Sequence, residues 1–153
     1  MGEILDAAIS FFKEDGWRFS QLEEQPVLTM GSQGENGQWT CFAHAREEQA
    51  QLLFYSVCPA NAPEDRRMAA AEFLTLANYG LFIGNFELDM DDGEIRYKTS
   101  IDVKGDRLSP ALVRPLVYAN LFMMDKYLPG IMSVIYGNVE PAEAVAKVEG
   151  TAN

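Results

Sequence analysis

The sequence predicts an α+β fold on three observations. A stripe of apolar residues at helical spacing opens the chain between Glu3 and Asp15. Alternating apolar and polar residues then mark strands around two glycine-containing turn signals, Asn36-Gly37 and Asp92-Gly93. Helical spacing returns between and after those hairpins. The order is helix, three strands, helix, two strands, helices, and antiparallel hairpins mixed with helices in this way define the α+β class.

In the first helix Ile4, Leu5, Ala8, Ile9 and Phe12 share a face while Asp6, Lys13 and Glu14 fall elsewhere. Gly16 stands where a left-handed cap ends a helix. Pro26 to Met30 and Gln38 to Arg46 read as strands joined through Gly34-Glu35-Asn36-Gly37. Asn36-Gly37 signals a two-residue turn, because both central residues of such a turn take positive φ. Trp39, Cys41, Ala43 and Ala45 alternate with Gln38, Thr40, Phe42, His44 and Arg46. Gln51 to Cys58 is short and apolar on both faces, as a central or two-sided strand is. A three-strand meander is the economical arrangement.

Pro59 and Pro63 bracket a loop. Asn61 is placed to cap the next helix, and Glu64 and Asp65 favour its N-terminus. Met68, Ala69, Glu72, Phe73, Leu76 and Tyr79 form its expected inward face, and Gly80 ends it.

The stretch Asn85 to Lys98 carries a cluster of acids around Gly93 and raises the question of a calcium loop. An EF-hand needs oxygen ligands at positions 1, 3 and 5, glycine at 6 and glutamate at 12. Counting from Asp89 puts Gly93 at position 5 and Ser100 at 12, and counting from Asp91 puts Gly93 and Ile95 at 3 and 5. Neither register fits. A hairpin turning on Asp92-Gly93 sets Met90 opposite Ile95, Leu88 opposite Tyr97 and Phe86 opposite Thr99. On the other face it sets Asp89 opposite Arg96 and Glu87 opposite Lys98. The acids are turn chemistry.

Ser109-Pro110 opens the last helical region as cap and first-turn proline. Pro115 is expected to bend that helix or mark its start, and Pro129-Gly130 to break it. Leu116 to Met124 is apolar almost all round, so the face turned from the sheet needs another element or subunit. Shorter helices are expected at Ile131 to Tyr136 and Pro141 to Val148, with Glu149 to Asn153 frayed.

The 153 residues suit one domain over residues 1–153, with 48% of them apolar. No run reaches the ~18 apolar residues of a membrane span. Glu3 and Asp6 stand where a signal peptide carries positive charge, so the cytoplasm is the expected location. Acids outnumber bases 23 to 12, which repels a phosphate backbone overall. Cys41 and Cys58 show no metal-ligand spacing and read as buried reduced thiols.

The middle of the chain resembles a known family. Asn78, Tyr79, Gly80, Leu81, Gly84, Asn85, Phe86, Glu87, Leu88, Gly93, Arg96 and Tyr97 match the spaced motifs of the YbjN-like bacterial proteins, which family labels associate with sensory transduction regulation. The stretches from Asn120 to Asn138 and from Pro141 to Val148 resemble that family's C-terminal helices. The resemblance implies a fold like the type III secretion chaperones, which are small acidic α+β homodimers that bind extended segments of other proteins.

His44 is the only histidine and has no nucleophile motif beside it, so no catalytic residue is assigned. No cofactor or metal ligand set is assigned either. Tyr118, Leu121, Phe122, Met123 and Met124 are the candidate partner or dimer surface, with an all-core helix as the competing reading. Asn78, Asn85 and Asn120 either bind backbone within the fold or grip a bound peptide. The expected function is a non-enzymatic, chaperone-like homodimer holding a segment of an unidentified protein, with no nucleic acid or membrane as partner. The alternative is a small-ligand sensor that regulates a partner.

Overall fold

The computed structural model describes residues 2–150. Helix α1 (Glu3–Glu14) buries Ile4, Leu5, Ala7, Ala8, Phe11 and Phe12, and Gly16 follows it at φ 78°. Its start has no side-chain cap of its own. Glu47, from a turn far along the chain, accepts from the N–H groups of Ile4 (3.0 Å) and Leu5 (2.8 Å), two donors that a helix start leaves open. Gly2 makes room, because a Cβ there would collide with the Glu47 carboxylate.

Six strands follow: β1 (Phe19–Gln21), β2 (Val27–Gln33), β3 (Gln38–Arg46), β4 (Gln51–Val57), β5 (Asn85–Leu88) and β6 (Ile95–Asp102). They form one sheet in the order β1-β2-β3-β4-β6-β5, every neighbouring pair antiparallel. The short edge strand β1 adds to the expected meander; three residues are too few to show an alternation.

The cross-strand rows sort the side chains. Leu28, Ala43, Phe54 and Thr99 lie in register, and all are buried. The next row, Thr29, Phe42, Tyr55 and Lys98, points the other way and is only half-buried. The helices lie on the first side. Phe12 of α1 stacks on Phe54 at 6.1 Å between centroids, and helix α2 (Arg67–Asn78) and a later long helix meet β5 and β6 through rings of Phe73, Tyr127, Phe86 and Tyr97.

Both hairpins differ from expectation by two residues. Gln33 opposes Gln38, so the first turn centres on Glu35-Asn36 instead of Asn36-Gly37, and none of its residues has positive φ. The reason is Asp125, whose carboxylate accepts from the N–H groups of Glu35 (3.1 Å) and Asn36 (2.8 Å). In the second hairpin Phe86 opposes Tyr97, Leu88 opposes Ile95 and Glu87 opposes Arg96. Asp89 and Glu94 close a longer loop through Asp89 N–H to the Glu94 carbonyl, 2.9 Å. Carboxylates of Asp89 and Asp92 take the loop N–H groups of Asp91 and Glu94, while the Gly93 carbonyl takes the N–H of Ala62. A shift of two keeps every side chain on its face. Glu87 therefore still meets both Arg96 (2.7 Å) and Lys98 (2.9 Å).

One 3-10 turn (Glu64–Arg66) leads into α2 (Arg67–Asn78). Asn61 does not cap it; its Nδ2 donates to the Asp92 carbonyl instead. The inward face is also corrected. Ala70, Phe73, Leu74 and Ala77 are buried, whereas Met68, Leu76 and Tyr79 of the expected face are exposed. This segment offers two apolar stripes, and the one with alanines allows the closer approach to its neighbours.

Helix α3 runs unbroken from Pro110 to Ile135. Ser109 caps it, its Oγ accepting from Leu112 N–H at 3.3 Å. Pro115 does not mark its start, and Pro129-Gly130 does not break it. Pro129 has no N–H for the carbonyl of Asp125, and Asn36 Nδ2 donates to that carbonyl at 2.9 Å. Gly130 is a packing site, since a Cβ there would lie 2.7 Å from both Phe73 and Val148. Ile131 to Tyr136, expected as a separate helix, mostly continues α3. Helix α4 (Pro141–Glu149) closes the fold, pinned by the Tyr127 hydroxyl donating to Glu149 at 2.6 Å. Residues 151–153, part of the expected frayed end, lie outside the described residues.

Candidate functional site

The side chains singled out on α3 do not form one surface. Phe122 is 62% exposed and Tyr118 is 42% exposed, Leu121 and Met123 are half-buried, and Met124 is fully buried. Met124 therefore leaves the candidate surface. Tyr118 is held by α1: its hydroxyl donates to Asp15, which also accepts from Trp17 Nε1 (2.9 Å) and Arg114 (2.9 Å). The hydrogen bond from Tyr118 leads the causes that hold the Asp15 carboxyl below its ordinary range.

The three asparagines are placed differently: Asn120 is in the core, Asn78 is half-buried beside β5, and Asn85 stands opposite Lys98 in the outward row of the sheet. Asn120 is fully buried, and its Nδ2 donates to the carbonyls of Phe54 (2.9 Å) and Tyr97 (3.0 Å) and to Thr99 Oγ1 (3.2 Å). It ties α3 across β4 and β6, at the cost of leaving its own Oδ1 without a protein partner. Asn78 accepts from Phe86 N–H (2.7 Å) and donates to the Phe86 carbonyl (3.2 Å). Its amide acts as a one-residue neighbour strand on the outer edge of β5, which blunts that edge. Asn85 Nδ2 also donates to the Phe86 carbonyl, at 3.2 Å.

Arg66 donates to the carbonyls of Val134 (2.8 Å) and Val139 (3.3 Å), near the end of α3. Arg67 donates to the carbonyls of Ala62, Met90 and Asp91. Burial pushes the thiols of Cys41 and Cys58 up to about 11, far from a reactive thiolate. Among the described residues no group of histidine, cysteine and acid side chains is placed to hold a metal ion. His44 sits between Val27 and Leu53 across the ladder.

Sequence reasoning missed the outer face of the sheet. It carries Val27, Phe42, Leu53, Tyr55 and Val57, all half-buried with no helix over them. The Arg96 guanidinium lies 4.1 Å over the Tyr55 ring and also pairs with Glu87. A solvated face of an antiparallel sheet is ordinarily polar. The two-sided apolar character of Gln51 to Cys58 was the available signal; it fixed a central strand without saying that one side would stay open.

Four known protein relationships bear on this geometry. The sequence matches, over residues 6–132, the family described as "YbjN: Putative bacterial sensory transduction regulator". No curated protein matches the sequence. The fold is similar to that of YbjN from E. coli, with a TM-score of 0.62 at 14% identity over 88% of this chain and 90% of that one. It is similar to the ExsC–ExsE complex, with a TM-score of 0.58 at 13% identity over 84% and 96%. It is also similar to the Yersinia Pestis type III secretion chaperone SycH, solved with a stable fragment of YscM2, with a TM-score of 0.52 at 11% identity over 78% and 94%. The architecture is thus that of the type III secretion chaperones. No described helix is long and apolar enough to cross a membrane.

Proposed function

The chain belongs to the YbjN family, and from that premise we propose that it is a non-enzymatic, chaperone-like protein that holds a segment of another protein. It acts as a single cytoplasmic domain and pairs with a second copy of itself. The segment lies on the outer face of the sheet. One observation carries this reading: the strip of Val27, Phe42, Leu53, Tyr55 and Val57 has no covering layer. An apolar sheet face left open in one chain is covered when something else binds. The likeness to SycH, solved with a fragment of another protein, supports the class of partner.

Phe122 and Tyr118 on α3, on the opposite side of the sheet, form a second and smaller contact, with Leu121 and Met123 beside them. The asparagines act in the scaffold: Asn120 has no exposed surface to offer a peptide.

A double variant, Leu53→Ser with Tyr55→Ser, tests the reading. Proteins captured by the wild-type chain from its native cell are expected to be lost, while Lys13→Ser on α1 keeps them. Retention of every partner by a folded double variant overturns the sheet-face assignment. A small-ligand reading has one feature in its favour, a groove of about 380 Å³ between α3 and α4 lined by Lys126, Glu143 and Lys147. Its volume is within the range of ligand sites.

A further inference from the structure

Asn36-Gly37 does not serve the turn in the way its sequence suggests. The first hairpin centres on Glu35-Asn36, and neither Asn36 nor Gly37 has positive φ. Of the seven asparagines only Asn36 precedes a glycine. That pairing has a chemistry of its own. A glycine nitrogen has no neighbouring Cβ to shield it, so it can attack the side-chain amide carbon of the asparagine before it and close a succinimide ring.

The reacting atoms are open here. Asn36 lies on the surface, and the Gly37 N–H has no acceptor among the described residues. The two aspartate–glycine pairs make the contrast. Gly16 N–H donates to the Lys13 carbonyl (3.2 Å) and Gly93 N–H to the Asp89 carbonyl (2.8 Å), so beside Asp15 and Asp92 the nitrogen is already engaged. At Asn36 it is the amide that is held. Asn36 Nδ2 donates to the Asp125 carbonyl (2.9 Å), and Asn36 N–H donates to the Asp125 carboxylate (2.8 Å). Ring closure turns the side chain toward Gly37 N and breaks the first of these bonds.

We propose that Asn36 is a site of spontaneous deamidation, that Asp125 holds it closed in the folded chain, and that its conversion uncouples the β2–β3 turn from α3. The inference stands apart from the proposed binding role. In the first step a bond forms from Gly37 N to Asn36 Cγ and the bond from Cγ to Nδ2 breaks. The Gly37 amide proton leaves with Nδ2 as ammonia. Solvent water then opens the ring. Attack at the side-chain carbonyl gives aspartate, and attack at the main-chain carbonyl gives isoaspartate. The sum is asparagine and water in, acid and ammonia out.

Either product reverses the local bonding. The Nδ2 donor becomes a carboxylate facing the Asp125 carbonyl, with a second negative charge close to the Asp125 carboxylate. That carbonyl already lacks a helical donor because of Pro129, so it loses the side-chain partner it has. Isoaspartate also lengthens the backbone between Gly34 and Gly37, where an added Cβ would collide with Asp125 on one side and Leu128 on the other.

Mass spectrometry of the full chain and its peptides, after incubation in warm, mildly alkaline buffer, tests the proposal. The wild type is expected to exchange amide for acid at Asn36 before any other asparagine. Asp125→Ala is expected to do so about tenfold faster with native circular dichroism, since one or two hydrogen bonds are worth about that factor. Asp125→Asn keeps one acceptor oxygen and is expected to fall between them, which preserves the reading if the alanine variant does not fold. Asn36→Asp, one of the two products, is expected to lower the folded-to-unfolded ratio about tenfold in urea titration. An Asn36 that stays an amide in the wild type and both Asp125 variants overturns the inference, as does earlier conversion of another asparagine. Folded Asp125 variants that react at the wild-type rate, or an Asn36→Asp chain as stable as the wild type, also overturn it.

Discussion

Phe54 and Tyr55 are neighbours on β4, and their surroundings have almost nothing in common. Phe54 is fully buried beneath Phe12 of α1. Tyr55 lies half-buried on the outer face with only Arg96 over its ring. The same contrast runs through the middle of the sheet: one face is a core, and the other carries Val27, Phe42, Leu53, Tyr55 and Val57 without a cover, among polar neighbours such as Thr29, His44, Arg96 and Lys98. The lesson is that a half-open apolar face is where this molecule has unused binding energy, because burial contributes about 25 cal/mol per Å² only once water is removed.

The contrast can be tested by comparing equivalent truncations on the two faces. Phe54→Ala is expected to cost about 3–5 kcal/mol in urea denaturation, as removal of a fully buried ring does. A cost near 1 kcal/mol would mean the covered face is poorly packed. Asn120→Ala comes next, at about 1–3 kcal/mol, because it removes donors to Phe54 and Tyr97 from a dry site. Tyr55→Ser is expected to change the stability of the isolated protein by about 1 kcal/mol or less, mostly through the lost contact with Arg96. If it matches Phe54→Ala, the outer face is already buried in solution and the comparison fails.

The smallest effect comes from Glu87 on the outer face. Burial pushes its pKa up, but hydrogen bonds and charge from Lys98 and Arg96 outweigh that and leave it below the ordinary glutamate value. A depressed folded pKa means the contribution is complete above the unfolded value of about 4.3 and is lost as pH falls through the folded value. The group is partly solvated, so the stability difference between wild type and Glu87→Gln is expected to stay below about 1 kcal/mol at neutral pH. It should shrink below pH ~4. A difference that grows on acidification would reverse the assignment.

Much of this architecture was legible before any coordinates. Helix α1, the alternation of β3, the Ser109 cap and the hairpin nature of the Asp89–Glu94 region follow from periodicity and turn chemistry, which are local. The spaced motifs from Asn78 to Tyr97 carried the family. The candidate surface was read less well. Methionine and aromatic residues on α3 looked alike in sequence, yet Met124 is core and Phe122 is exposed. On α2 Met68 and Leu76, from the stripe expected to face inward, are exposed.

The sequence by itself determined the element types and which residues of a strand share a face, because side-chain period is set by the backbone and survives a slip of two. Tertiary structure decided the rest. Asp125 fixed the first turn and, through Asn36, kept α3 whole past Pro129. Arg67 and Ala62 fixed the second turn. These bonds join residues far apart in the chain, so no local pattern records them. Which face of the sheet the helices cover, and so which face is left for a partner, was settled in the same way.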